Sequence, residues 1–89
     1  MFEHNYDQVL CKNIDELIYV NNVAKKLGKI PLREYTVRQM TYPVYLFLQG
    51  NTVGWNDSMD RIGDKFTFLE FVKWEQNLNY NLDNQLIND

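Results

Sequence analysis

Between Thr41 and Trp55 the run TYPVYLFLQGNTVGW predicts a β-hairpin whose first strand is apolar on both faces. A strand covered on one side alternates apolar with polar, yet here Val44, Leu46 and Leu48 fall on one face and Tyr45 and Phe47 on the other. Gly50-Asn51 offers a two-residue turn with glycine at the first central position, as a type II′ hairpin requires. Pro43 stands at the strand start, where its missing N–H is least damaging, and the return strand runs from Thr52 to about Asn56. Something must cover the second face: another part of the chain, a second copy, a ligand or a partner.

Periodicity changes on either side of this hairpin. Residues 6–12 (YDQVLCK) read as a short strand with Val9 and Cys11 on one face and Leu10 on the other. Asn13 followed by Glu16 is a capping box, and Asp15 adds negative charge to the first helical turn. Ile14, Leu17, Ile18, Val20, Ala24 and Leu27 then form an apolar stripe at helical spacing, with Val23 on its margin. Lys25 and Lys26 suit a last turn, Gly28 suits the position after it, and Pro31 forbids continuation, so a helix spans about 14–27.

Residues 29–41 suggest a loop that straightens into a strand near Thr36–Met40. After the turn-rich 56–64 connection, Lys65-Phe66 ends a further short strand. Thr67 with Glu70 makes a second capping box, opening a helix at about 68–78 with Phe68, Leu69, Phe71, Val72 and Trp74 on its apolar side. Residues 79–89 are expected to be a flexible tail. The order predicts an α+β fold: a small antiparallel or mixed sheet of roughly 3–5 strands with both helices on one face.

Composition narrows the function. The 89 residues make one domain, and 45% apolar with 15% aromatic residues is too rich for a disordered segment. Residues 1–44 hold six Lys/Arg against five Asp/Glu, and residues 45–89 hold three against seven. No basic stripe exists, which argues against general nucleic-acid binding. The start Met1-Phe-Glu-His-Asn resembles no secretory signal, and no apolar run approaches the ~20 residues of a membrane span. With Cys11 alone there is no internal disulfide, and the expected compartment is the cytoplasm.

Chemistry-bearing residues are sparse. His4 and Cys11 cannot make a four-ligand metal site, and Cys11 reads as a small core residue. Asp57, Asp60 and Asp64 lack the alternate spacing of a calcium loop and read as a solvated turn. The four glycines are scattered and form no phosphate-cradling loop, while Lys25, Lys26, Lys29 and Arg33 complement a helix C-terminus. No catalytic set, metal or cofactor is expected. What remains is an aromatic set with nearby cations, Tyr35, Arg38, Tyr42, Tyr45, Phe47 and Trp55, the residue types of interface hot spots. Arg38, Tyr42, Tyr45, Phe47 and Trp55 are the expected binding residues.

The small size, the abundance of Asn, Lys, Ile and Tyr, the two capping boxes and the β-α-β-β-α order resemble small accessory proteins of tailed bacteriophages. The likeness rests on general style and carries over no residue. It implies a binding role in the host cytoplasm: occupying the surface of a host or defence factor, or sequestering a signalling nucleotide. The leading expectation is therefore a non-enzymatic protein that engages another protein, or its own copy, through the aromatic hairpin face. The alternative is a nucleotide binder in which Trp55 or a tyrosine stacks the base and Arg38 or Arg33 meets the phosphate.

Overall fold

Two residues, Lys12 and Asn13, separate the first strand from the first helix. In a computed structural model that describes residues 7–48, 50–57 and 63–88, the last ten by backbone alone, β1 (Gln8–Cys11) leads directly into α1 (Ile14–Lys26). The Asn13 carboxamide accepts from the Glu16 N–H at 2.9 Å, and the Glu16 carboxylate accepts from the Lys12 N–H at 2.9 Å. The capping box is thus present, with its return arm one residue before the cap. At the other end the Gly28 N–H donates to Lys25 C=O and the Lys29 N–H to Ala24 C=O, both at 3.0 Å, which is a Schellman motif.

Gly28 has φ +86° and nothing within 4 Å of where a Cβ would stand. Any cost of Gly28→Ala is therefore backbone strain alone, roughly 1–2 kcal/mol for a left-handed non-glycine residue. Thermal unfolding of that variant should fall by about 5–10 °C. An unchanged midpoint would mean that the helix can end another way.

The remaining elements are α2 (Glu34–Gln39), β2 (Val44–Phe47), β3 (Gly54–Asn56), β4 (Lys65–Phe66) and α3 (Phe68–Asn88). The four strands lie in the order β3-β2-β1-β4, with β4 parallel to β1 and the other pairs antiparallel. Val9 faces Leu46 and Cys11 faces Val44 across the central pair. These four side chains join Leu17, Val20, Val23, Ala24, Val37, Leu48, Val53 and Phe71 in one core, so all three helices pack on the same sheet face. The α+β class and the mixed sheet agree with the sequence.

Several details differ from the pattern in the sequence. Residues 34–39 form a helix and not a strand, because a helical turn brings Val37 and Met40 together onto the core, outweighing the strand preference of Thr36 and Val37. Val23 is buried in α1 while Ile14, Ile18 and Leu27 are about two-fifths exposed, so the helix is rotated relative to the expected stripe. In α3 the Thr67–Glu70 box closes reciprocally at 3.1 Å, but Leu69 points outward at 61% exposure. That helix continues past the expected end at 78 to Asn88.

The hairpin register pairs Tyr45 with Asn56, Leu46 with Trp55 and Phe47 with Gly54, which centres it on Gly50-Asn51 as expected. Its ladder closes at Phe47 and Gly54, however, so the return strand begins at Gly54 and not at Thr52. Thr52 instead bridges Ile30 in parallel, with the Ile30 N–H donating to Asn51 C=O at 2.6 Å and the Val53 N–H to Ile30 C=O at 3.0 Å. The Tyr42–Pro43 peptide is cis.

Cys11 is fully buried. Burial first, and the Glu16 charge second, push its thiol up from 9.0 to about 12. A folded pKa above the unfolded one means that this group's share of stability is intact below about pH 9 and is lost as pH rises toward 12. Native protein should therefore be inert to an aromatic disulfide reagent at about pH 8 and react only when unfolded, since attack needs an exposed thiolate. Rapid labelling of folded protein would contradict that placement.

Candidate functional site

The hairpin's second face is not an open aromatic surface. Phe47 is 7% exposed, Gln8 beside it is fully buried, and Leu10 and Tyr45 are half-buried. The Phe47 ring lies against Gly54 on the neighbouring strand, 3.9 Å from where a Cβ would project, which is ordinary van der Waals contact. Tyr42 is likewise drawn onto the core, and its hydroxyl is buried with no hydrogen-bond partner among the described residues. Burial, followed by the nearby Cys11 and Asp15, pushes its phenol pKa upward.

Exposed aromatic surface gathers instead at the β3 edge. Leu46 pairs with Trp55 in the register, so Trp55 stands on the helix-covered face, yet β3 is the outer strand and the indole remains 49% exposed. Helix α2 lies alongside with Tyr35, 73% exposed. Tyr35, Thr36, Gln39, Met40, Thr41 and Trp55 line a groove of about 250 Å3 between them. None of these side chains carries a charge. Val37, buried on the inner side of α2, fixes the helix and hence the wall that Tyr35 provides.

The opposite flank of α2 faces α1 across a second depression of about 330 Å3, floored by Ile14, Ile18, Leu32 and Val37. Asn21 braces this flank: its amide donates to Leu32 C=O at 3.1 Å and its carbonyl accepts from the Leu32 N–H at 2.7 Å. Arg38 sits at this rim, away from Trp55, and is held by Glu34 at 2.5 Å. Both side chains are about three-quarters exposed, so the pair contributes at most ~0.5 kcal/mol.

The five residues expected to form one surface are thus dispersed: Trp55 in the groove, Arg38 on the far flank, Tyr42 and Phe47 packed inward, and Tyr45 half-buried on the second face. Tyr35, recognised in the sequence as part of the aromatic set, takes its place beside Trp55, together with Met40. The signal for Met40 was its helical spacing from Val37, which the strand expectation hid.

Elsewhere, Tyr19 donates to the Glu75 carboxylate at 2.7 Å and stacks edge-on against Phe68 and Phe71, tying α1 to α3. That hydrogen bond, then burial and the Glu75 charge, raise the Tyr19 pKa. Among the described residues no three His, Cys, Asp or Glu side chains gather closely enough to hold a metal ion. His4 and Asp60 lie outside the described residues. No helix among those residues is long and apolar enough to cross a membrane. Comparison with protein-family models, with curated proteins and with solved structures returned no match to the chain.

Proposed function

We propose that the chain is a non-enzymatic binding protein that engages another protein through the groove between α2 and β3. The observation that carries this reading is the pair of large exposed rings, Tyr35 and Trp55, on opposite walls of an uncharged groove. Tyr and Trp bury much area at low entropic cost and dominate interface energetics. Both are fixed on regular elements, so little ordering remains to be done on contact. At about 250 Å3 the groove is below the usual ~300–1,000 Å3 of a small-ligand pocket and fits one or two partner side chains.

The resemblance to phage accessory proteins supports the same class, an inhibitor that occupies the surface of a host or defence factor. Nucleotide binding has less support: of the two cations read for the phosphate, Arg38 is on the other side of α2 and already paired, and Arg33 is not among the residues that line the groove. A random-peptide display selection on the folded chain tests the proposal. The recovered peptides should share one site and lose affinity when Trp55 or Tyr35 is replaced by Ala. Peptides indifferent to both replacements would overturn it.

A further inference from the structure

The depression on the other flank of α2 plays no part in the binding surface proposed above. Ile14 and Ile18 stand four residues apart on α1 and are still about two-fifths exposed, and Leu32 with buried Val37 completes an apolar floor. The lining on α1 runs from Ile14 to Asn22, two helical turns or about 12 Å. Its volume of about 330 Å3 falls within the small-ligand range, but such pockets enclose most of their ligand, and this one lies open above both isoleucines. No aromatic ring lines it, so a nucleic-acid base has nothing to stack on. It has the form of a contact surface for another protein.

The backbone around the groove decides which element of that protein fits. Both walls are helices, and Leu32 is the lining residue that lies outside them. Its N–H donates to the Asn21 carbonyl at 2.7 Å and its C=O accepts from the Asn21 amide at 3.1 Å, so both groups are taken. An extended chain therefore finds no strand edge to pair with. The occupant has to satisfy its own backbone, as a helix does.

Charge then fixes the sign of that helix. Residues 21–41 hold Lys25, Lys26, Lys29, Arg33 and Arg38 against Glu34 alone, whereas the rest of the chain holds four Lys/Arg against eleven Asp/Glu. Arg38 is offset by its pair with Glu34. Lys25 follows Asn21 by one helical turn and Arg33 immediately follows Leu32, so the Asn21–Leu32 bonds bring both exposed cations to the same end of the groove. Neither is in an ion pair among the described residues. Lys25 complements the end of α1, but Arg33 is the N-cap of α2 and makes no capping bond, a place where a cation gains nothing from the helix dipole.

We infer that the groove between α1 and α2 receives an acidic amphipathic helix of a partner protein, its apolar side on Ile14 and Ile18 and its carboxylates toward Lys25 and Arg33. Anchors at i, i+3 or i+4 and i+7 of such a helix span about 10.5 Å, which matches the two turns of α1 that line the groove. Opposite charge speeds and orients the encounter, and apolar contact then holds it. This surface is independent of the one that carries Tyr35 and Trp55, because it lies across α2 from them and shares none of their lining residues.

The test is a display selection on the full chain from a library of helical peptides that share one scaffold and differ at their exposed positions. Recovered peptides should be richer in Asp and Glu than the unselected library and carry apolar residues at i, i+3 or i+4 and i+7. They should lose affinity about tenfold or more on Ile18→Glu, with Ile18→Ala as the second variant should the first disturb α1 by circular dichroism. Arg33→Glu and Lys25→Glu should each weaken them several-fold, affinity should fall as salt rises from about 50 to 500 mM, and Trp55→Ala should change nothing. Peptides that are neutral or basic, or that ignore the Ile18 and Arg33 variants, overturn the inference, as does a library from which nothing is enriched. Peptides lost on Trp55→Ala and kept on Ile18→Glu also overturn it, while supporting the proposed function. An oligo-dT of about 20 nucleotides that binds the chain, is lost on Arg33→Glu and is kept on Ile18→Ala would assign the cations to nucleic acid and overturn it too.

Discussion

Phe71→Ala should remove a large part of the chain's stability. Among the described residues Phe71 is the largest fully buried side chain, and with Phe68 and Trp74 it joins α3 to the core. Its ring meets Tyr19 edge-on at 6.4 Å and Trp74 at 5.6 Å, so truncation removes transfer energy, leaves a cavity and unseats two aromatic contacts together. A Phe→Ala change of this kind costs about 3–5 kcal/mol. At ~0.05–0.15 kcal/mol per residue, a domain of this length has only about 4–13 kcal/mol in total. Far-ultraviolet circular dichroism with urea titration is the check, and a variant that still unfolds cooperatively with less than ~1 kcal/mol lost would show that α3 is not integral to the fold.

The second large effect concerns binding. Trp55→Ala should weaken peptides selected on the folded chain by about thirtyfold or more, the ~2 kcal/mol that defines a hot spot. Its unfolding midpoint should barely move, since half of the indole is already in water and β3 is an outer strand. Tyr45→Ala supplies the contrast. Tyr45 lies on the other sheet face, half-buried, and its loss should leave peptide affinity unchanged. If Tyr45→Ala instead abolished binding and Trp55→Ala did not, the hairpin's second face would be the contact surface.

How much of this was legible in the sequence depends on the range of the forces involved. Both capping boxes, the Gly28 helix end and the centring of the hairpin on Gly50-Asn51 are local arrangements of a few residues, and all appear in the structure. Helix α2 was hidden because six residues cannot display a periodicity, and what decides it is Val37 meeting a core assembled from distant segments. The length of α3 was underestimated by treating the residues after 78 as a fraying terminus. The stronger signal was that no glycine or proline follows Gly63 to stop it.

The candidate site was legible in its chemistry and not in its geometry. The aromatic set with nearby cations could be read directly, but alternation within one strand says only that Tyr45 and Phe47 share a face. It does not say that Phe47 would pack down against the neighbouring strand or that Trp55 would stand on the outermost strand. Strand order is a long-range property, and it places Trp55, an expected binding residue, on an outer strand with half of its indole exposed. Arg38 is turned to the other flank of α2 by a helix that the sequence pattern did not reveal.

The most direct measurement is an amide chemical-shift titration of the isotope-labelled chain with one selected peptide. The groove account predicts that the largest shifts fall on Tyr35, Thr36, Met40, Thr41 and Gly54–Asn56, on both walls at once. Shifts centred on Leu10, Tyr45 and Phe47, with Tyr35 and Trp55 unmoved, would contradict it.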